Sequence, residues 1–253
     1  MADTPAGDQV MVVTGGSRGI GAAIARLAAA RGYRVCLSYV VDGAAAEGVL
    51  ADINDEGGTA VAVRADVSEP GDVTALFESA SGLGRISAVV NNAGILFPQG
   101  RVEDVDADRL RRLLDVNVVG AFLVARAAVR QMSTAHGGSG GSIVNVSSRA
   151  AVLGAADEYV DYAASKAALD ALTIGLSQEV APFGVRVNAV RPGIIRTDIH
   201  ASGGEPGRPD RLAPVIPLRR AGDPDEVARA VCWLASDEAS YVTGTFIDVG
   251  GGR

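Results

Sequence analysis

Val10-Met11-Val12-Val13 runs directly into Thr14-Gly15-Gly16-Ser17-Arg18-Gly19-Ile20-Gly21, and the alanine-rich stretch from Gly21 to Arg31 reads as a helix. An uninterrupted apolar run, closed by glycines and followed by a helical segment, marks a strand buried on both faces that turns into a helix. Glycines at such a junction allow a tight turn and let a phosphate approach the N–H groups at the helix N-terminus. The spacing is G-x-x-x-G-x-G, so the more widespread G-x-G-x-x-G pattern is not met literally. A purely structural turn would use the same residues; the strand–turn–helix setting favours the phosphate cradle.

The alternation continues to the end of the chain. Val35-Cys36-Leu37, Ala60 to Val63, Ile86 to Val90, Ile143 to Val146, Val185 to Val190 and a last short run, Thr245 to Val249, read as strands. Between them, Asp72 to Ala80, Asp106 to Gln131 and Ala163 to Val180 read as helices. Strands alternating with helices predict a parallel sheet covered by helices on both faces, with ligands bound outside the carboxyl ends of the strands. No internal repeat and no linker divides the chain. The glycine-rich His136 to Gly141 reads as a flexible surface turn. Residues 198–214, whose stretch from Ala201 to Pro214 is rich in Gly, Pro and charge, read as a mobile substrate flap or as a surface insertion.

Composition narrows the function classes. In 253 residues, 48% are hydrophobic and 21% charged, which excludes a disordered chain. The net charge of −7 disfavours nucleic acid and anionic membranes as partners. Two cysteines, Cys36 and Cys232, sit in apolar runs and cannot make a disulfide framework, which points to a reducing cytoplasm. The start, Met1 to Pro5, lacks the pattern of a signal peptide, residues 1–8 read as loosely ordered, and no segment has the apolar length of a membrane span. His136 and His200 lie far apart and read as solvated loop residues, so no metal site is legible.

Of 23 basic residues, 22 are arginine and one is lysine, Lys166. It falls in Tyr162-Ala163-Ala164-Ser165-Lys166, at the opening of a helical stretch. Residues four apart share a helix face, so the ammonium can lie near the phenol. A cation there favours phenolate and is expected to lower the tyrosine pKa from about 10, making it a proton donor and acceptor near neutrality. Tyr159 is the neighbouring candidate, but four residues on lies Ala163, which brings no cation.

With these motifs the chain resembles the short-chain dehydrogenase/reductase family along nearly its whole length. The matching segments occur in order: Thr14 to Gly21, Asp66-Val67, Asn91-Asn92-Ala93-Gly94, Asn117, Ser147-Ser148, Tyr162 to Lys166 and Pro192-Gly193. The resemblance implies a single-domain Rossmann fold over residues 1–253, a doubly wound parallel sheet of about seven strands with helices on both faces. It implies hydride transfer between a nicotinamide cofactor and a small carbonyl or secondary alcohol. Gly15, Ser17, Arg18, Gly19, Ile20 and Gly21 would cradle the pyrophosphate. Asp66 and Val67 would flank the adenine, and Asn92, Ala93 and Gly94 would line the cofactor cleft. Pro192, Gly193, Ile195 and Thr197 would contact the nicotinamide. Tyr162 would protonate the carbonyl oxygen, Lys166 would hold the ribose hydroxyls, and Asn117 would anchor a water leading to Lys166. The segment Gly244 to Gly251 is similar to the family's subunit interface, implying a homotetramer or homodimer.

The family's serine commonly precedes the tyrosine by thirteen positions, and here that position is Arg149. Ser148 is therefore assigned on the inference of one extra residue between Arg149 and Asp161, with Ser147 in reserve. NADP is favoured over NAD. An acidic side chain at the end of the second strand would grip the ribose 2′-OH, but Tyr39 and Val40 stand there. Arg18 can pair with a 2′-phosphate, whereas Asp42 is placed to cap the next helix. The chain is similar both to 3-oxoacyl-[acyl-carrier-protein] reductases and to glucose-1-dehydrogenase-like members. A free small molecule is preferred, because the stretch from Gln131 to Ser142 offers no Arg or Lys to an acidic carrier, although Arg126 and Arg130 keep the carrier reading open. A cofactor-binding regulator without turnover would be expected to have lost part of the catalytic set. Leu96, Phe97, Ala150, Leu153, Tyr159 and Ile199 are candidate pocket linings.

Overall fold

The computed structural model describes residues 8–253. Its strands are β1 (Gln9–Val13), β2 (Arg34–Tyr39), β3 (Ala60–Arg64), β4 (Arg85–Asn91), β5 (Gly141–Val146), β6 (Val185–Pro192) and β7 (Phe246–Val249). They form one seven-stranded sheet in the order β3-β2-β1-β4-β5-β6-β7, parallel throughout. The helices are α1 (Gly19–Ala30), α2 (Gly43–Asp55), α3 (Pro70–Leu83), α4 (Ala107–Leu114), α5 (Ala121–Met132), α6 (Ala150–Leu153), α7 (Val160–Val180), α8 (Ile199–Ser202), α9 (Arg208–Leu212) and α10 (Pro224–Ala235).

Alternation along the strands explains why their runs are apolar without a break. Met11, Val13, Val35 and Leu37 face a core shared with α1, α2 and α10. Val10, Val12 and Cys36 face a second core shared with α3 and α5. Both faces are covered, so neither set of alternating positions meets water. A buried polar chain joins β4 and β5 to the helices on the second face. Asn91 Nδ2 donates to Asn145 Oδ1 at 3.0 Å, and Asn145 Nδ2 donates to Thr173 Oγ1 at 2.8 Å.

The long helix expected from Asp106 to Gln131 is present, with one π-helical turn within it. α4 and α5 are separated by a π-helical turn over Asp115–Gly120. An inserted residue shifts the apolar positions without breaking them, so periodicity reads straight through such a turn. α10 goes beyond the elements read from the sequence, though its start is written there: Pro224 opens it, and the Asp223 N–H donates to Glu226 Oε2 at 2.9 Å. Asp42 caps α2 as expected, accepting from the Ala45 N–H at 2.9 Å. Of the stretch expected to be loosely ordered, residues 1–7 lie outside those described, and the Asp8 carbonyl accepts from the Arg85 N–H at 2.8 Å. Residues 198–214 carry α8 and α9.

The turn between β1 and α1 is stitched to the end of β4. Asn92 Nδ2 donates to the carbonyls of Thr14 and Gly15 at 2.9 and 3.0 Å. Gly15 and Gly19 take φ values of +63° and +54°, which side chains disfavour. A Cβ on Gly21 would lie 2.2 Å from the Gly15 carbonyl oxygen and 2.5 Å from Asn92 Nδ2. Gly21→Ala is therefore expected to destabilise the protein by about 1–3 kcal/mol, the usual cost of overpacking, read as a lower urea midpoint. A wild-type midpoint would contradict this stitching.

Candidate active site

The carboxyl ends of β1 and β4 lie side by side at the point where the strand order reverses, and the sequence-selected residues gather there. Thr14 closes β1. Its hydroxyl donates to the Val90 carbonyl at 3.2 Å and accepts from the N–H groups of Asn92 and Ala93, both at 3.0 Å. Thr14 opens the glycine motif read from the sequence, but its bonding to the end of β4 was not legible there, because the partners are 76 to 79 residues away. Arg18, at the N-cap of α1, gives no side-chain cap, and the first turn of α1 has no acidic residue. The N–H groups of that turn are left for an outside acceptor, and the helix dipole favours an anion there. The glycine turn thus fits the pyrophosphate of a dinucleotide.

The π-turn presents Asn117 to the site from a buried position. Its Oδ1 accepts from the Ile95 N–H at 2.8 Å, and its Nδ2 donates to the Ile95 carbonyl at 3.0 Å and to Ser165 Oγ at 3.1 Å. Lys166, on α7, is 4% exposed, and its Nζ donates to the Val146 carbonyl at 2.8 Å. The two meet at Gly94, where a Cβ would lie 3.4 Å from Asn117 Oδ1 and 3.5 Å from Lys166 Nζ.

The structure separates the two serines. Ser147 is buried, and its hydroxyl donates to the Lys166 carbonyl at 3.2 Å. Ser148 lines the same cleft as Tyr162, and its hydroxyl accepts from the Ala150 N–H at 3.1 Å. Arg149, at the position where a serine is common, lines the cleft with its guanidinium engaged, Nε donating to the Arg253 main-chain oxygen at 2.8 Å. Tyr159 is not an alternative to Tyr162: its ring packs under the Arg208 guanidinium, 5.2 Å from the centroid, and its hydroxyl donates to the Gly203 carbonyl.

The titration of the pair departs from expectation. Burial pushes the Tyr162 phenol up to about 12, and the Ser148 hydroxyl offsets only part of this. Lys166 Nζ lies 5.7 Å from the Tyr162 ring centroid and is held by Val146, so its presence on the same helix face does not lower the phenol as expected. Burial presses the Lys166 ammonium down to about 8, against the upward pull of Asp170 one turn on. In the window between about 8 and the ordinary 10.5, the unfolded chain holds a proton that the folded chain lacks. Stability contributed by this group therefore rises with pH across that window.

One cleft is walled by Ser148, Tyr162 and Lys166 on one side and by Asn92, Gly94, Pro192 and Gly193 on the other. Ile20, Ile195 and Thr197 also line it, while Ser17, Arg18 and Gly19 line a second depression beside α1. Val67 packs on Gly120, whose added Cβ would lie 2.6 Å from Val67 Cγ2. Burial tends to raise the Asp66 carboxyl, but Ser68 and Arg112, the latter at 2.7 Å, hold it below its ordinary value. Tyr39 covers Gly43 at the end of β2. Leu96, Ala150, Leu153, Tyr159 and Ile199 line the cleft as expected; Phe97 instead lies under Arg109, 5.5 Å from ring centroid to guanidinium. His200 corrects the sequence reading: it is buried in the cleft wall, with Nε2 2.8 Å from the Ile195 carbonyl oxygen, because α8 turns it inward. Among the described residues, no helix is long and apolar enough to cross a membrane.

A family model described as enoyl-(acyl carrier protein) reductase matches residues 15–253. The chain is 54% identical to the uncharacterized oxidoreductase YgfF of Escherichia coli over 245 residues, covering 96% of this chain and 99% of that one. It is 38% identical to a 3-oxoacyl-[acyl-carrier-protein] reductase of Synechocystis over 251 residues, covering 96% of each. A short-chain dehydrogenase of Burkholderia cenocepacia, solved in complex with NADP, superposes with a TM-score of 0.87 at 35% identity, covering 96% of each chain. Fold, ordered motifs and relatives agree that the chain belongs to the short-chain dehydrogenase/reductase family of oxidoreductases.

Proposed function

We propose that the protein is an NADP(H)-dependent oxidoreductase that interconverts a small carbonyl compound and its secondary alcohol, with Tyr162 as the proton donor and acceptor. The observation that carries this reading is that Ser148, Tyr162 and Lys166 line one cleft. The bound cofactor supplies or receives the hydride at the carbonyl carbon. Ser148 donates a hydrogen bond to the carbonyl oxygen, and Tyr162 delivers its proton to that oxygen as charge develops there. Lys166, with a pKa near 8, exchanges protons near neutral pH on the same helix as Tyr162. Asn117, clamped by Ile95 and Ser165, holds the polar path beside Lys166.

Toward the cofactor, the turn from Gly15 to Gly21 would hold the pyrophosphate, and Asp66 and Val67 would sit at the adenine. Asn92, Ala93 and Gly94 would form the floor, Lys166 would hold the ribose hydroxyls, and Pro192, Gly193, Ile195 and Thr197 would border the nicotinamide. NADP is supported by three features. No acidic side chain ends β2, the Asp42 carboxylate is engaged in capping α2, and Arg18 is exposed with no ion-pair partner among the described residues. The Burkholderia relative was solved with NADP. The reading includes a cytoplasmic location and assembly as a homotetramer or homodimer through Gly244 to Gly251. The carrier-protein reading keeps one observation in its favour, the exposure of Arg126 and Arg130 on α5.

Tyr162→Phe is expected to lower kcat by about 10²-fold or more while leaving NADPH affinity near wild type. Ser148→Ala should lose at least about tenfold in kcat, and Ser147→Ala should not. A Tyr162→Phe protein of near-normal turnover would overturn the assignment. The wild type should show the higher kcat/KM with NADPH, and Arg18→Ala should reduce it about tenfold with NADPH while sparing NADH. A clear NADH preference would refute the Arg18 argument. Rates with acetoacetyl carrier protein beside free ketones separate the two substrate readings.

A further inference from the structure

We propose that the substrate carries a carboxylate and that Arg253 receives it. This rests on the oxidoreductase reading for what happens at the carbonyl, and it adds the chemical class of the group at the other end of the substrate.

Arg253 lines the same cleft as Ser148 and Tyr162. Its backbone is fixed beside them: its N–H donates to the Gly250 carbonyl at 3.2 Å, and its own carbonyl accepts from Arg149 Nε at 2.8 Å. Gly250 in turn abuts Gly193, where an added Cβ would lie 2.7 Å from the Gly250 Cα. The turn after β7 is therefore seated against Pro192–Gly193 and against the residue that follows Ser148.

The Arg253 side chain, by contrast, has no ion pair or hydrogen bond among the described residues, and its Nη1 is buried without a partner. A buried guanidinium N–H left unpaired is costly, and native structures rarely tolerate one unless a ligand or water completes it. Nε and Nη2 also have no hydrogen-bond partner among the described residues.

The other charges of the cleft are already matched. Glu158 is held by Arg208, Arg149 pairs with Asp248, and His200 is hydrogen-bonded to Ile195. Lys166 is bound to Val146 and stands beside Tyr162. The cleft that Arg253 lines also carries apolar side chains, including Leu96, Leu153, Ile194 and Ile199. One unmatched cation in an apolar cleft selects an anion, and the planar guanidinium fork matches a carboxylate in particular. A neutral analogue leaves that cation unpaired, so discrimination between acid and ester should be large.

Levulinate and its methyl ester, with the next two longer methyl-ketone acids and their esters, provide the test. Binding to the NADP⁺-saturated protein is measured by calorimetry, and reduction is measured with NADPH. The wild type should favour at least one acid over its ester by about tenfold or more in both measurements. Arg253→Gln should erase that preference by weakening the acid alone, and Arg253→Lys should restore part of it. Equal binding of every acid and ester to the wild type, or equal weakening of both by Arg253→Gln, overturns the proposal. So does a loss of oligomer mass in Arg253→Gln with the acid preference intact, which would assign the side chain to a subunit contact. If no ketone is reduced yet calorimetry shows the preference and its loss in Arg253→Gln, the carboxylate site stands and the hydride-transfer reading is what fails.

Discussion

The hydrogen bond from Lys166 Nζ to the Val146 carbonyl is the constraint around which the site is arranged. It joins α7 to the end of β5 and places an ammonium where water hardly reaches. A buried cation is costly unless its donors are met, and here it finds a carbonyl and the field of Asp170, itself paired with Arg191. The outcome is a cation whose charge is adjustable near neutrality, on the helix that carries Tyr162. Gly94 and Asn117 lie beside it.

Arginine cannot fill that role. It stays charged at any working pH and demands a planar set of acceptors, whereas a lysine offers one compact charge that burial can tune. Of the 23 basic residues 22 are arginine, and the one lysine is the residue buried beside Val146. Composition and spacing by themselves singled out the glycine turn, Tyr162 and Lys166, while the other candidate site residues came from the family resemblance. The strands were legible because both faces are buried, which leaves unbroken apolar runs, and the turn after β1 because glycine alone tolerates its geometry.

The rest depended on contacts between distant residues. The π-turn that carries the buried Asn117 preserves the apolar pattern on either side, so Asp106 to Gln131 reads as one helix and the turn within it does not show. Ser147 and Ser148 are indistinguishable as residue types, and only the fold turns one into α7 and the other toward Tyr162. His200 read as a surface residue because nothing local shows that α8 turns inward. The direction of the Tyr162 shift was misread for a related reason: helix spacing sets which groups are neighbours, but burial by the surrounding chain sets the larger effect.

The central claim, that Lys166 is a buried and tuned cation, can be measured without any substitution because the sequence holds only this lysine. With lysine labelled by carbon-13 at Cε, the cofactor-free protein gives one lysine side-chain resonance to follow with pH. The expected midpoint is about 8, and a midpoint at the ordinary 10.5 would contradict the account.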